Sequence, residues 1–271
     1  MGSEAVRLFD EAYQHLQSAG STFVFGLTEG YEGFDTPQTF AEVNRALKAR
    51  ALKYRGDFEG VLTALNQSFI DASADLDLGV YHNYFAEDAQ FNPFFAPNTQ
   101  YVHPRILDDA QRKANGQPDD RAVEKTTEIA PFTSREVTVT ERPTVYPENT
   151  SPFPWITNEE LILIRAEARH ATGDAAGALA DVNVIRTREG GLAPVAGLSG
   201  DALLDEILYN KLYSLLYRGG WAYFDARQYD RLDELPRAAP NHRVFARINW
   251  PASECIARNM TDGPCGSVDG F

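Results

Sequence analysis

Two stretches of this 271-residue chain lie on one another without a gap. Residues 42–66, EVNRALKARALKYRGDFEGVLTALN, match 159–183, EELILIRAEARHATGDAAGALADVN. They share Glu42/Glu159, Ala49/Ala166, Ala51/Ala168, Gly56/Gly173, Asp57/Asp174, Gly60/Gly177, Leu62/Leu179 and Asn66/Asn183. A Gly-Asp pair inside a helical pattern is punctuation. Glycine takes the left-handed conformation that ends one helix, and aspartate accepts a hydrogen bond from the free N–H groups that open the next. Small residues on both sides let the two helices approach closely. Each copy predicts an antiparallel helical hairpin of the tetratricopeptide kind. Two copies around a long insertion predict a helical scaffold from which other structure is hung.

The flanking sequence extends the scaffold. Residues 3–18 predict a helix with Val6, Leu8, Phe9, Ala12, Tyr13 and Leu16 on its apolar face. Residues 20–36 are Gly-rich and aromatic and predict a loop. Thr36-Pro37 starts the first hairpin, expected as helices 37–55 and 57–72. In the second, Thr157 and Glu160 have the spacing of a capping box. Leu161, Ile164 and Ala168 line one helix, and Ala178, Val182 and Ile185 the other. A further helix is expected over 199–218, with Leu204, Ile207, Leu208, Leu212, Leu215 and Leu216 on one face. Gly219-Gly220 breaks it, and a short helix begins at Trp221. The expected fold is mainly α: tetratricopeptide-like hairpins with a long irregular insertion carrying little β-structure. As one domain over 1–271, it divides into a scaffold (3–72 and 157–230), an insertion (73–156) and a C-terminal loop region (231–271).

Composition narrows the function. A formal net charge of −14 argues against nucleic acid or anionic lipid as partner, since both would be repelled. No run of about eighteen apolar residues is present to span a bilayer. Cys255 and Cys265 are the two cysteines; a close pair in an otherwise cysteine-free chain suggests a disulfide if the chain is exported, and two unrelated thiols if it is not. The histidines, His15, His82, His103, His170 and His242, are scattered and match no metal motif. Neither a nucleophile elbow nor a phosphate-binding loop occurs, and no spacing singles out a pair of carboxylates as a glycosidase would. No catalytic residue, metal site or cofactor is expected.

Several short motifs occur in a telling order. Tyr54-Arg55-Gly56-Asp57 closes the first hairpin and Asp119-Asp120-Arg121 falls in the insertion. Pro154-Trp155-Ile156 leads to Glu159 and to Leu163-Ile164-Arg165-Ala166-Glu167-Ala168, with Asn183 and Arg186 beyond. Arg218-Gly219-Gly220-Trp221-Ala222-Tyr223-Phe224-Asp225 follows, then Ile248-Asn249-Trp250-Pro251-Ala252-Ser253-Glu254. In this order they resemble the SusD/RagB family, surface lipoproteins that bind nutrients beside TonB-dependent outer-membrane transporters. Members are longer at the N-terminus and carry a lipidated cysteine there, so the resemblance implies the C-terminal portion of such a protein. It also implies a surface-exposed outer-membrane location, a SusC-like TonB-dependent transporter as partner, an oligosaccharide or peptide ligand, and no catalysis.

The resemblance places the ligand site in the non-repeat region, and the residues there suit a sugar. Sugar rings present C–H groups to aromatic faces and hydroxyls to amides. In 80–104, Tyr81, Tyr84, Phe91, Phe94, Phe95 and Tyr101 are candidate platforms. Asn83, Asn92, Asn98 and Gln100 are candidate hydroxyl partners. Each has a packing alternative, since a proline-rich insertion needs buried anchors. Trp155 and Trp221 are expected in the core, and Arg121 in an ion pair that ties the insertion together. A helical-repeat scaffold that binds only protein is the alternative function; it would have a fully packed insertion in place of an open aromatic groove.

Overall fold

The structure, a computed structural model, describes residues 2–97, 99–134, 136–237, 239–247, 250–262 and 265–266. Asn98, Arg135, Ile248 and Asn249 lie outside the described residues.

Helix α1 (Gly2–Ser18) packs on α2 (Pro37–Lys53). Arg45 crosses between them: buried on α2, it donates to the Asp10 carboxylate at 2.8 Å and the Phe9 carbonyl at 2.6 Å, over the Tyr13 ring. Helices α2 and α3 (Phe58–Leu65) form the first hairpin. The insertion holds strand β1 (Gly79–His82), short helices α4 (Arg105–Asp108) and α5 (Asp120–Glu124), and strands β2 (Thr126–Ser134), β3 (Val137–Pro143) and β4 (Phe153–Thr157). Helices α6 (Asn158–Ala171) and α7 (Ala175–Arg188) form the second hairpin, followed by α8 (Gly200–Ser214), α9 (Trp221–Gln228) and α10 (Ala252–Ala257). The fold is mainly helical, with two small antiparallel sheets, β1–β4 and β2–β3.

The two hairpins repeat in atomic detail. Gly56 and Gly173 sit at φ +73° and +90°, where only glycine is unstrained. Asp57 accepts from the Gly60 N–H at 3.0 Å, and Asp174 from the Gly177 N–H at 2.9 Å. A side chain on Gly60 or Gly177 would collide with that capping carboxylate, which fits the second glycine that both copies share. The core between the hairpins joins Val43, Ala46 and Ala49 of α2, Val61 and Leu65 of α3, and Leu161 to Ile164 of α6. A second cluster sets Ala166 of α6, Ala178 and Val182 of α7, and Leu203 and Ile207 of α8 together. A third, Val102, Ile106, Ala110, Ala122 and Tyr213, fastens the insertion to α8.

Four fully or nearly buried charges link the scaffold helices. Lys211 donates to Glu167 at 2.7 Å and to Asp225 at 2.6 Å, and Lys53 donates to the same Asp225 oxygen at 2.5 Å. The Tyr229 hydroxyl donates to Glu167 at 2.7 Å. α8 therefore buries a mixed face: Leu204, Ile207 and Leu215 of the expected stripe are buried and Leu208, Leu212 and Leu216 half-buried, while Asn210, Lys211 and Ser214 are buried beside them. Arg121 is 1% exposed and grips Asp119 through Nε and Nη2 at 3.0 and 2.6 Å, as expected of a tie within the insertion.

Several boundaries differ from the sequence reading. α3 stops at Leu65 rather than 72, because 66–78 turns to wrap the buried side chain of Asn158, which bonds the Asp71 N–H and the Asp71 and Asp75 carbonyls. The Thr157–Glu160 capping box does not form. β4 runs straight into α6, whose first N–H groups are met by the Leu78 and Leu76 carbonyls, and Glu160 pairs with Arg50 instead. α8 ends at Ser214 rather than 218. In the insertion, β3 is the return arm of the β2–β3 hairpin. Cys255 and Cys265 are joined in a disulfide near the short α10.

Candidate ligand-binding groove

The β1–β4 ladder sets the site. Gly79 pairs with Thr157, Val80 with Ile156, Tyr81 with Pro154 and His82 with Phe153, so Trp155 is an extra residue on β4. A bulge of this kind re-aims the side chain that it carries. Trp155, expected in the core, is 48% exposed, whereas Trp221 is buried. β1 can approach β4 only as glycine at 79: a Cβ there would fall 2.2 Å from the Ile156 carbonyl oxygen.

Rings continue from this ladder in two directions. His82 stands edge-on to Tyr84 at 4.7 Å between centroids and to Trp155 at 6.4 Å. Across the ladder, Phe153 stacks on Phe94 at 4.9 Å, and Tyr146 closes the group at 6.0 Å from Phe94. The result is a band of rings, Trp155 and Tyr84 through His82 and Phe153 to Phe94 and Tyr146. Burial pushes the Tyr146 phenol up to about 12, with Arg218 opposing and Tyr84 adding, so it stays a neutral donor; it bonds the Tyr217 carbonyl at 3.2 Å.

Beyond Phe94 the surface opens into a cavity of about 210 Å³, lined among others by Phe94, Phe95, Gln100, Arg142, Tyr146 and Tyr217. Phe94, Gln100 and Tyr217 also line a neighbouring recess of about 560 Å³ that reaches Leu216, Gly219 and Trp221. The shared walls make one groove between the insertion and the end of α8, of the size that small ligands occupy. Tyr217 fixes its floor from an uncommon backbone conformation, φ +60°. Its hydroxyl donates to the Tyr101 carbonyl at 2.8 Å while its own carbonyl accepts from Tyr146, so one residue bolts the insertion to the scaffold.

The sequence candidates separate into groups. Tyr84, Phe94 and Phe95 belong to the band or the groove. Phe91 is 48% exposed. Tyr101 stacks on Phe132 of β2 at 5.1 Å. Tyr81 and Asn83 line a separate acidic recess with Glu29, Glu32, Asp75 and Asp77. The Tyr81 hydroxyl donates to the Asp77 carbonyl, and burial, with Asp77 beside it, pushes the phenol up to about 12. Asn92 is a correction: it is 2% exposed, and its amide donates to the Ser151 carbonyl and accepts from the Phe94 N–H, so it shapes the loop and has no face for a ligand. His82, Tyr146, Phe153, Trp155 and Tyr217 went unread as site residues. The ladder and its bulge bring His82, Phe153 and Trp155 together, and ring contacts and hydrogen bonds between distant segments add Tyr146 and Tyr217.

Neither a family model nor a curated protein matches the sequence. Solved structures do. A SusD superfamily protein from Bacteroides vulgatus aligns with 72% of the chain at TM-score 0.55 and 13% identity. NanU from Bacteroides fragilis aligns with 84% at 0.53 and 14%, and a SusD-like carbohydrate-binding protein from the same organism with 85% at 0.51 and 14%.

The chain has the SusD-like fold.

It spans 52%, 62% and 61% of the length of these three SusD-like structures. Several residues of the motifs meet at buried contacts in this fold: Glu167 and Asp225 share the buried lysines, and Arg121 grips Asp119 against Ser214.

Proposed function

We propose that this chain binds carbohydrate without catalysis, in the groove between the insertion and α8, and hands it to a TonB-dependent transporter at the outer-membrane surface. In this reading the helical hairpins over 3–72 and 157–230 are the frame, 73–156 carries the ligand site, and 231–271 is a loop region. The single observation that carries it is the ring band opening into the groove. Trp155 and Phe94 are exposed rings of the kind that sugar C–H groups require, and Gln100 lines the cavity with Phe94. A structural likeness supports it: one SusD-like neighbour is itself described as carbohydrate-binding. The transporter and surface location follow from fold analogy. Sugar hydroxyls exchange water for protein hydrogen bonds at small net gain, so affinity rests on several stacked rings together.

Affinity electrophoresis over a glycan panel tests this reading. Replacing Tyr84 and Phe94 together by alanine is expected to abolish retention while the thermal midpoint stays within a few degrees. Retention unchanged in that folded double variant would count against the groove. The scaffold-only alternative predicts that no glycan retards the unaltered chain.

A further inference from the structure

Among the described residues, Arg142 is the only charged one lining the 210 Å³ end of the groove, in a protein of net charge −14. It projects from β3, opposite Thr127 of β2. Strand alternation sends the neighbouring Glu141 to the other face. No carboxylate or carbonyl among the described residues pairs with the Arg142 guanidinium. Most other arginines in the insertion and along α6–α8 are committed, as Arg121 is to Asp119, Arg165 to Asp181 and Arg186 to Glu206.

The other polar groups of that cavity are already in use. The Tyr146 hydroxyl donates to the Tyr217 carbonyl, the Tyr217 hydroxyl to the Tyr101 carbonyl, and the Thr144 hydroxyl to the Glu124 carbonyl at 2.8 Å. Among the described residues, the side-chain donors left for a ligand are the Arg142 fork and the Gln100 amide. A planar guanidinium with free N–H groups matches a carboxylate through two parallel hydrogen bonds. The negative surface elsewhere does not cancel this, because charges beyond about 8 Å are screened at physiological salt.

Resting on the groove reading above, we infer that the ligand is an acidic sugar, a uronic-acid oligosaccharide whose carboxylate is held by Arg142 with its ring against Phe94. Arg142 then sets specificity, while the aromatic band supplies the sugar contact common to all ligands. A charge-assisted pair at a half-open site favours acid over ester by about tenfold.

The test uses galacturonic- and glucuronic-acid oligosaccharides, each beside its methyl ester, titrated calorimetrically into the 271-residue protein. The unaltered protein is expected to prefer the free acid by about tenfold, and the preference shrinks as salt rises from about 50 mM to about 500 mM. In Arg142→Gln the acid-to-ester ratio falls to near one, and Arg142→Lys restores part of it. Equal affinity for acid and ester in the unaltered chain overturns the inference, as does a ratio that survives Arg142→Gln. Binding of neutral glycans alone, lost on Phe94→Ala, overturns it and leaves the groove reading standing. Binding of either kind that is indifferent to Phe94→Ala removes the groove reading as well.

Discussion

Trp155 and Asn92 occupy the opposite places from those that residue type suggests. Tryptophan is a core residue by habit and asparagine a surface one. Here the extra residue on β4 turns the indole outward, while Asn92 is buried to satisfy the backbone around Phe94 and Ser151. Their substitutions should separate cleanly. Trp155→Ala removes a side chain that is 48% exposed, so it is expected to cost under about 1 kcal/mol of stability and to weaken glycan retention. Asn92→Ala leaves buried backbone groups without partners and is expected to cost about 1–3 kcal/mol. Urea titration beside affinity electrophoresis checks both; a Trp155→Ala protein with full retention would exclude the indole from the site. Neither role could be read from residue type, since both depend on register and on contacts with residues distant in the chain.

At the scale of elements, legibility follows locality. The Gly-Asp turns, their capping carboxylates and the small residues across each hairpin lie within a few residues of one another, so the sequence spells them directly. β1 and β4 do not announce themselves. β1 is four residues beginning with glycine, β4 contains Pro154, and each becomes a strand only when the other arrives from the far side of the insertion. Gly79 is the point of closest approach. A Gly79→Ala side chain would meet backbone, which cannot swing aside, and the expected cost is about 1–3 kcal/mol. The same change should displace His82 and Tyr84 from Trp155. Loss of glycan retention at temperatures where the helical circular-dichroism signal is intact would confirm that the ladder serves the site; full retention would refute it.

Across the whole molecule, α2, α6, α8 and α9 meet at buried charges rather than at a purely apolar seam. Burial alone would raise the Glu167 carboxyl, but Lys211, Lys53 and the Tyr229 hydroxyl outweigh it and hold it below its usual 4.5; the same carboxylates hold Lys211 above its usual range. A carboxyl with a depressed folded-state pKa contributes stability that is complete above pH 4.5 and is lost as pH falls through the folded value. Denaturant midpoints are therefore expected to drop below about pH 4.5, less steeply in Glu167→Gln, which also loses about 3–5 kcal/mol at neutral pH by stranding the lysines. An unchanged acid limb in that variant would show that the cluster does not set the acid limit. The sequence by itself determined the helical hairpins, their turns and the ring-rich character of the insertion, because each is written in neighbouring residues. Only the tertiary structure decided which rings face solvent, which polar groups are already bonded and that Arg142 has no partner among the described residues. Those outcomes depend on contacts between segments that meet only after the chain has folded.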